Sequence, residues 1–220
     1  MIRRCPSAFL PLLALLATTG VWAATVTVTV RDSDTAPVPN VVVTAIPATG
    51  TGKKSSDEFK PALMDQVDRQ FAPYVVAIHT GSSVLFPNSD LVAHQVYSFS
   101  PTRRFELGLY RGKPHNPVVF DKPGIVVLGC NIHDNMIGYV YVTDAPYFGT
   151  TDARGQVQLA GVSGGSYTLE IWSPRATSRE SGLRQTLQVS NDEALSVDFR
   201  FQHRLEPEPA PVREPRLRDY

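Results

Sequence analysis

From residue 25 to 30 threonine and valine alternate without exception, and this two-residue period constrains the fold more than any other feature of the chain. Successive side chains of an extended strand point to opposite faces, so the run reads as a strand with one apolar, buried face and one wet face. A turn over residues 32–37 leads to a second strand at 40–46. Further short runs follow at 74–79, 83–86, 94–100, 105–110, 117–120, 124–128 and 137–143, each set off by Gly, Pro, Asn or Asp. After a turn, the alternation returns up to residue 159, over 161–172, and again at 183–189 and 194–201. The chain has 18 prolines and 15 glycines as punctuation, with no long run of helical period, so the expected class is all-β.

The strands fall into groups. Residues 48–61 are rich in Gly, Thr, Ser and Lys and read as a linker. Residues 62–144 hold about seven strands, enough for one complete sandwich domain. The segments 24–47 and 145–202 share a style, and only together do they supply a strand set for a second small sandwich. The preferred expectation is a domain inserted into another between its second and third strands; the alternative is that residues 24–47 pack on the middle domain as extra strands. From 203 to 220 the chain turns to Pro, Glu and Arg with no apolar pattern, which reads as a disordered tail.

Residues 1–23 begin with Arg3 and Arg4, continue through an apolar stretch at 8–19 and end in Val21-Trp22-Ala23. This is the pattern of a secretory signal peptide cleaved after Ala23, which predicts a periplasmic or secreted protein. The apolar stretch is too short to span a bilayer, and no later one is long enough, so no membrane span is expected. Formal net charge is zero, falling to about −2 once Arg3 and Arg4 leave with the leader. Such a balance argues against nucleic acid as a partner.

Of the two cysteines, Cys5 lies in the leader, which leaves Cys130 alone. A single thiol in an oxidising compartment is buried and inert, paired between chains, or bound to metal. His133 lies three residues on and Met136 six residues on, and this favours metal. With His94 from another loop, the set is a thiolate, two imidazoles and a thioether, every ligand of a blue-copper electron-transfer site. Soft sulfur suits Cu(I) and imidazole suits both oxidation states, so an electron can come and go with little rearrangement. Alone, His94 would be an ordinary strand-end histidine and Met136 an ordinary core residue. His79, His115 and His203 receive no metal role. The chain has one such ligand set, no His-x-His cluster for oxygen reduction and no His-Glu-x-x-His, so no enzyme is expected.

Two motifs carry a resemblance. Residues 81–90, Gly-Ser-Ser-Val-Leu-Phe-Pro-Asn-Ser-Asp, followed by Ala93-His94-Gln95-Val96, resemble the strand and loop that deliver the first histidine in the cupredoxins of the plastocyanin, pseudoazurin and amicyanin kind. Residues 123–142, running through Cys130, His133 and Met136, resemble the same family's final strand, ligand loop and closing strand, and the short Cys-x-x-His-x-x-Met loop is most similar to that of amicyanin. The resemblance covers residues 62–143. It implies a Greek-key sandwich with one type 1 copper ion held by His94, Cys130, His133 and Met136. Gln95, Leu128 and Ile132 depart from the Asn, aromatic and Pro that the family often has there. Residues 38–43, 151–155 and 164–169 are similar to strands of the carboxypeptidase regulatory or transthyretin-like sandwich, which implies fold and no chemistry.

The expected function is that of a single-electron carrier between redox partner proteins, docking through an apolar patch of Ile132 and Pro87 around His133. The alternative is a copper chaperone, store or sensor that binds Cu(I) at the same ligands without redox turnover. A third is a structural or adhesion protein whose outer sandwich binds a surface.

Overall fold

The structure is a computed structural model that describes residues 23–49, 60–112, 116–177, 182–190 and 194–208. The leader up to residue 22, linker residues 50–59, His115 and the tail from 209 lie outside the described residues. Among the described residues every regular element is a strand, and no helix is long and apolar enough to cross a membrane.

β1 (Ala24–Arg31) lies at the centre of a three-stranded sheet, antiparallel to β14 (Gln156–Val162) and parallel to β17 (Ala194–Arg200). The second sheet runs β13 (Tyr147–Thr150), β2 (Val42–Pro47), β15 (Gly165–Trp172) and β16 (Leu183–Val189). The alternation in β1 does what its period dictates. Val26, Val28 and Val30 are fully buried, while Thr27 and Thr29 keep contact with solvent. The valines meet Val43, Ala45, Leu169, Ile171, Phe199 and Phe201 in one core, and each such side chain contributes about 1.5–3 kcal/mol of burial.

Residues 62–143 build a separate unit from ten strands: β3 (Ala62–Leu63), β4 (Asp65–Val67), β5 (Gln70–Ala72), β6 (Val75–His79), β7 (Ser83–Leu85), β8 (His94–Ser98), β9 (Phe105–Tyr110), β10 (Val118–Val119), β11 (Gly124–Gly129) and β12 (Ile137–Thr143). A five-stranded sheet, β6-β12-β11-β8-β9, and a smaller sheet, β10-β7-β3, enclose Met64, Phe71, Phe86, Phe120, Leu128 and Val140. The two cores share no residue. β2 and β13 are antiparallel hydrogen-bonded neighbours in one sheet, and residues 62–143 lie between them in sequence.

Four strands were not anticipated. β13 has all four residues half-buried and shows no alternation, and β3, β4 and β5 are too short to display a period. The first residues of the expected tail are also packed. Leu205 is buried in the outer core, the Glu206 N–H donates to the Arg175 carbonyl at 2.9 Å while Arg175 Nε donates to the Glu206 carbonyl at 2.6 Å, and Asn40 donates to Glu208 at 2.8 Å. The composition of 203–208 hid a single apolar anchor.

Residues 161–165 spell Gly-x-Ser-x-Gly, the spacing of a hydrolase nucleophile elbow. Here they connect β14 to β15, where that elbow needs a strand followed by a helix. Ser163 Oγ lies 3.4 Å from the hydroxyl of Tyr147, and the Ser163 carbonyl accepts from Tyr167 at 2.9 Å, so the segment is a stapled turn.

The units meet through aromatic side chains. Gly138, Val140 and Val142 of β12 face inward, which turns Tyr139 and Tyr141 outward onto Trp172 at the end of β15, with ring centroids 5.7 and 5.3 Å away. His79 meets Phe148 edge-on at 4.6 Å.

Candidate metal centre

β8 opens with His94, whose side chain is fully buried. Pairing of β8 with β9 is in register from Val96 on but shifts between His94 and Val96. A local irregularity of this kind re-aims one side chain without disturbing the sheet behind it. Cys130 follows directly on β11, and the loop to β12 consists of two successive turns. The His133 N–H donates to the Cys130 carbonyl at 3.4 Å, and the Met136 N–H to the His133 carbonyl at 2.9 Å. Each turn closes from residue i to i+3, so the Cys-x-x-His-x-x-Met spacing places a sulfur or imidazole donor at every turn junction.

Three of the four expected donors converge. His94 Nδ1 lies 3.1 Å from His133 Nδ1, and Cys130 Sγ lies 3.9 Å from His94 Nδ1 and 3.7 Å from His133 Nδ1. A transition-metal ion sits about 2.0 Å from imidazole nitrogen and about 2.3 Å from thiolate, so ligands roughly 100–120° apart stand about 3.1–3.8 Å from one another. The donor set therefore fits one ion in a trigonal arrangement. Met136 is buried in the core that contains Cys130 and lines the same groove beside it. His79 lies on β6 against the outer sandwich, away from this cluster.

The carboxylate of Asp90 defines the role of His94. Asp90 Oδ2 accepts from His94 Nε2 at 2.6 Å, so the neutral ring carries its proton on Nε2 and presents the Nδ1 lone pair to the cluster. Burial works to raise the Asp90 carboxyl. The backbone N–H of Arg69, the His94 ring and the N–H of Asp68 outweigh burial and hold it below the usual carboxylate range. Asp90 is itself placed by Asn88, a buried hub whose Oδ1 accepts from the Asp90 N–H at 3.0 Å. Its amide donates to the carbonyls of Val92 at 3.0 Å and Tyr110 at 2.9 Å. Gln95 ties the two ligand loops together by accepting from Asn131 at 2.7 Å. Asp90 and Asn88 lie in the motif that precedes His94, but spacing alone gives neither a role. The signal was a carboxylate four residues before the histidine in a turn.

Removing the Asp90 carboxylate frees the ring of His94 and leaves its Nε2–H buried without an acceptor. Asp90→Ala is expected to weaken metal binding about 10–100-fold, the usual cost of losing a partner to a metal-bound histidine. Competition against a chelator of known affinity measures it, and wild-type affinity in the variant would show that packing alone orients the ring.

No family model matches the chain, and the search of curated proteins gives no match. Among solved structures, the chain is similar to a copper-containing nitrite reductase from Thermus scotoductus, at 26% identity and a TM-score of 0.37 over 44% of this chain. The match spans about a quarter of that enzyme, 25% of its length. A reduced amicyanin variant is similar at 15% identity and a TM-score of 0.36, covering 46% of this chain and 99% of its own. A purple cupredoxin from Nitrosopumilus maritimus is similar at 21% identity and a TM-score of 0.32, covering 37% of this chain and 99% of its own.

Proposed function

We propose that residues 62–143 are a cupredoxin-type domain holding one type 1 copper ion, and that the protein carries single electrons between redox partners in the periplasm. The observation that supports this most is the meeting of His94 Nδ1, Cys130 Sγ and His133 Nδ1 at metal-ligand spacing, with the far nitrogen of His94 fixed by a carboxylate. Met136, buried in the same core as Cys130, would be the fourth ligand. Bound copper would supply a one-electron couple whose two states the same mixed sulfur and nitrogen set accepts.

The residues of the chain do the rest. Cys130 and both histidines come from two loops tied by Gln95 and Asn131, so the donors are held in place before metal arrives. Core residues Phe86, Leu128 and Val96 exclude water from the inner side. His133 is half-buried and its neighbour Ile132 is 54% exposed, which leaves one imidazole ligand near the surface beside an apolar side chain suited to brief docking. We take the protein to act on no substrate, the outer sandwich to be a carboxypeptidase-regulatory-like module, and residues 1–23 to direct export.

A visible spectrum of the copper-loaded mature protein tests the proposal. An intense blue band that bleaches and returns with one-electron reduction and oxidation is expected. A colourless protein that holds only Cu(I) would replace the carrier with a store or chaperone, and failure to retain copper would remove the metal function. Ile132→Lys is expected to slow electron transfer to a partner by about tenfold or more while leaving spectrum and copper content unchanged, since a desolvated lysine penalises the docked state. An unchanged rate would move the docking face elsewhere.

A further inference from the structure

A groove of about 560 Å³ opens beside the metal centre, with Tyr97, Phe99, Val127 and Asp134 in its wall and Cys130 and Met136 on its inner side. Its size is that of a small-ligand site. β8 and β11 are paired at Gly129 opposite Tyr97, and beyond that position the Val127 N–H turns to the Ser100 hydroxyl instead of a strand carbonyl. Tyr97 and Phe99, two residues apart and on one face, form an aromatic corner with ring centroids 5.1 Å apart and planes tilted by 44°. Phe99 is 71% exposed and Val127 is 43% exposed, an unusual display for a sheet face that otherwise continues into the covered Tyr139 and Tyr141. Only glycine permits the floor. A Cβ on Gly129 would stand 2.7 Å from Cζ of Tyr97, so its absence lets the ring lie against the residue bonded to Cys130.

The polar groups of the wall narrow the choice of ligand. Ser100 Oγ accepts from the Val127 N–H at 2.9 Å and the Asn131 amide donates to Gln95, so both are committed to the protein. The Asp134 carboxylate has no hydrogen-bond or ion-pair partner among the described residues, and it lines the same groove. Two ring faces, an apolar side chain and one unpaired carboxylate are complementary to a cation with a hydrocarbon surface.

We propose that this groove binds a small alkylammonium ion, its methyl or methylene groups against Tyr97, Phe99 and Val127 and its charge answered by Asp134 and the ring faces. The site lies against Gly129 and Cys130, so a bound cation disfavours the more positive oxidised state of the metal and raises its potential. That second effect rests on the copper reading; binding itself does not.

The test therefore starts with the metal-free full-length mature protein, titrated with tetramethylammonium and observed by NMR. Saturable shifts confined to Tyr97, Phe99, Val127 and their neighbours are expected, with tert-butanol, similar in shape but uncharged, binding at least about tenfold more weakly. Phe99→Ala is expected to weaken binding about two- to fivefold, the range for an exposed cation–π contact, and Asp134→Asn by about fivefold or more. Equal binding of tert-butanol, or an unchanged affinity in Asp134→Asn, overturns the proposal. In the copper-loaded protein, tetramethylammonium is expected to raise the potential in wild type, and in Asp134→Asn the rise is expected to need a concentration about fivefold or more higher. Binding without a change in potential overturns the coupling.

Discussion

Cys130→Ser is expected to abolish the intense visible absorption of the copper-loaded protein and to lower copper affinity by orders of magnitude. Thiolate is the soft donor of the set, and its interaction with Cu(II) produces the colour; a serine hydroxyl remains protonated near neutral pH and offers only a hard, neutral oxygen. The substitution changes little else. Cys130 is buried beside Leu128 and Met136, and serine is close to it in volume, so the sandwich should retain its fold by circular dichroism. Retention of the blue band in the serine variant would sink the site assignment. Met136→Leu provides the contrast, because a thioether would be the weakest donor of the four, and that variant should keep the copper while its potential moves. Loss of copper in Met136→Leu would make the thioether a principal ligand.

Residues 60–145 expressed alone are expected to fold and to bind copper with the spectrum of the whole protein. Their core of Met64, Phe71, Phe86, Phe120, Leu128 and Val140 takes no residue from the outer sandwich, and all four donors lie inside the segment. The cut nevertheless uncovers Tyr139 and Tyr141, which Trp172 otherwise covers. The fragment should accordingly be less stable than the intact protein by about 1–3 kcal/mol, the scale of one large aromatic contact area, and more prone to associate. Denaturant melts of fragment and whole chain measure the difference. A fragment that is unfolded while the whole chain is stable would make the outer sandwich a structural requirement of the metal domain and move the boundary near residue 60.

Much of the strand content was legible because strand formation has a local signature. Strands at 105–110, 137–143 and 183–189 lie where short β-rich runs between turn residues put them, and β1 shows the valine-in, threonine-out burial that its period demands. β13 and the three short strands β3, β4 and β5 were not legible. β13 and β3 are held by pairing with distant partners, β2 and β7, which nothing nearby in sequence records, while β4 and β5 pair with each other in a hairpin of only three residues a side, too short to show a period. The same limit explains the site. The pairing of Asp90 with His94 joins two residues of one turn, yet it acquires meaning only when Asp68 and Arg69 donate to the same carboxylate from another hairpin.

Sequence alone determined the all-β class and the spacing of Cys130, His133 and Met136. Those properties depend on side-chain identity and on geometry within a few bonds, which a linear chain carries in full. Tertiary structure decided the rest. It brought His94 to within 3.9 Å of Cys130 and set Asp90 behind it. It also laid Tyr97 on Gly129 and turned Tyr139 and Tyr141 toward Trp172. Each of these contacts joins segments separated along the chain, and their approach is set by the joint burial of apolar faces and the register of paired strands, quantities that exist only once the whole sheet has formed.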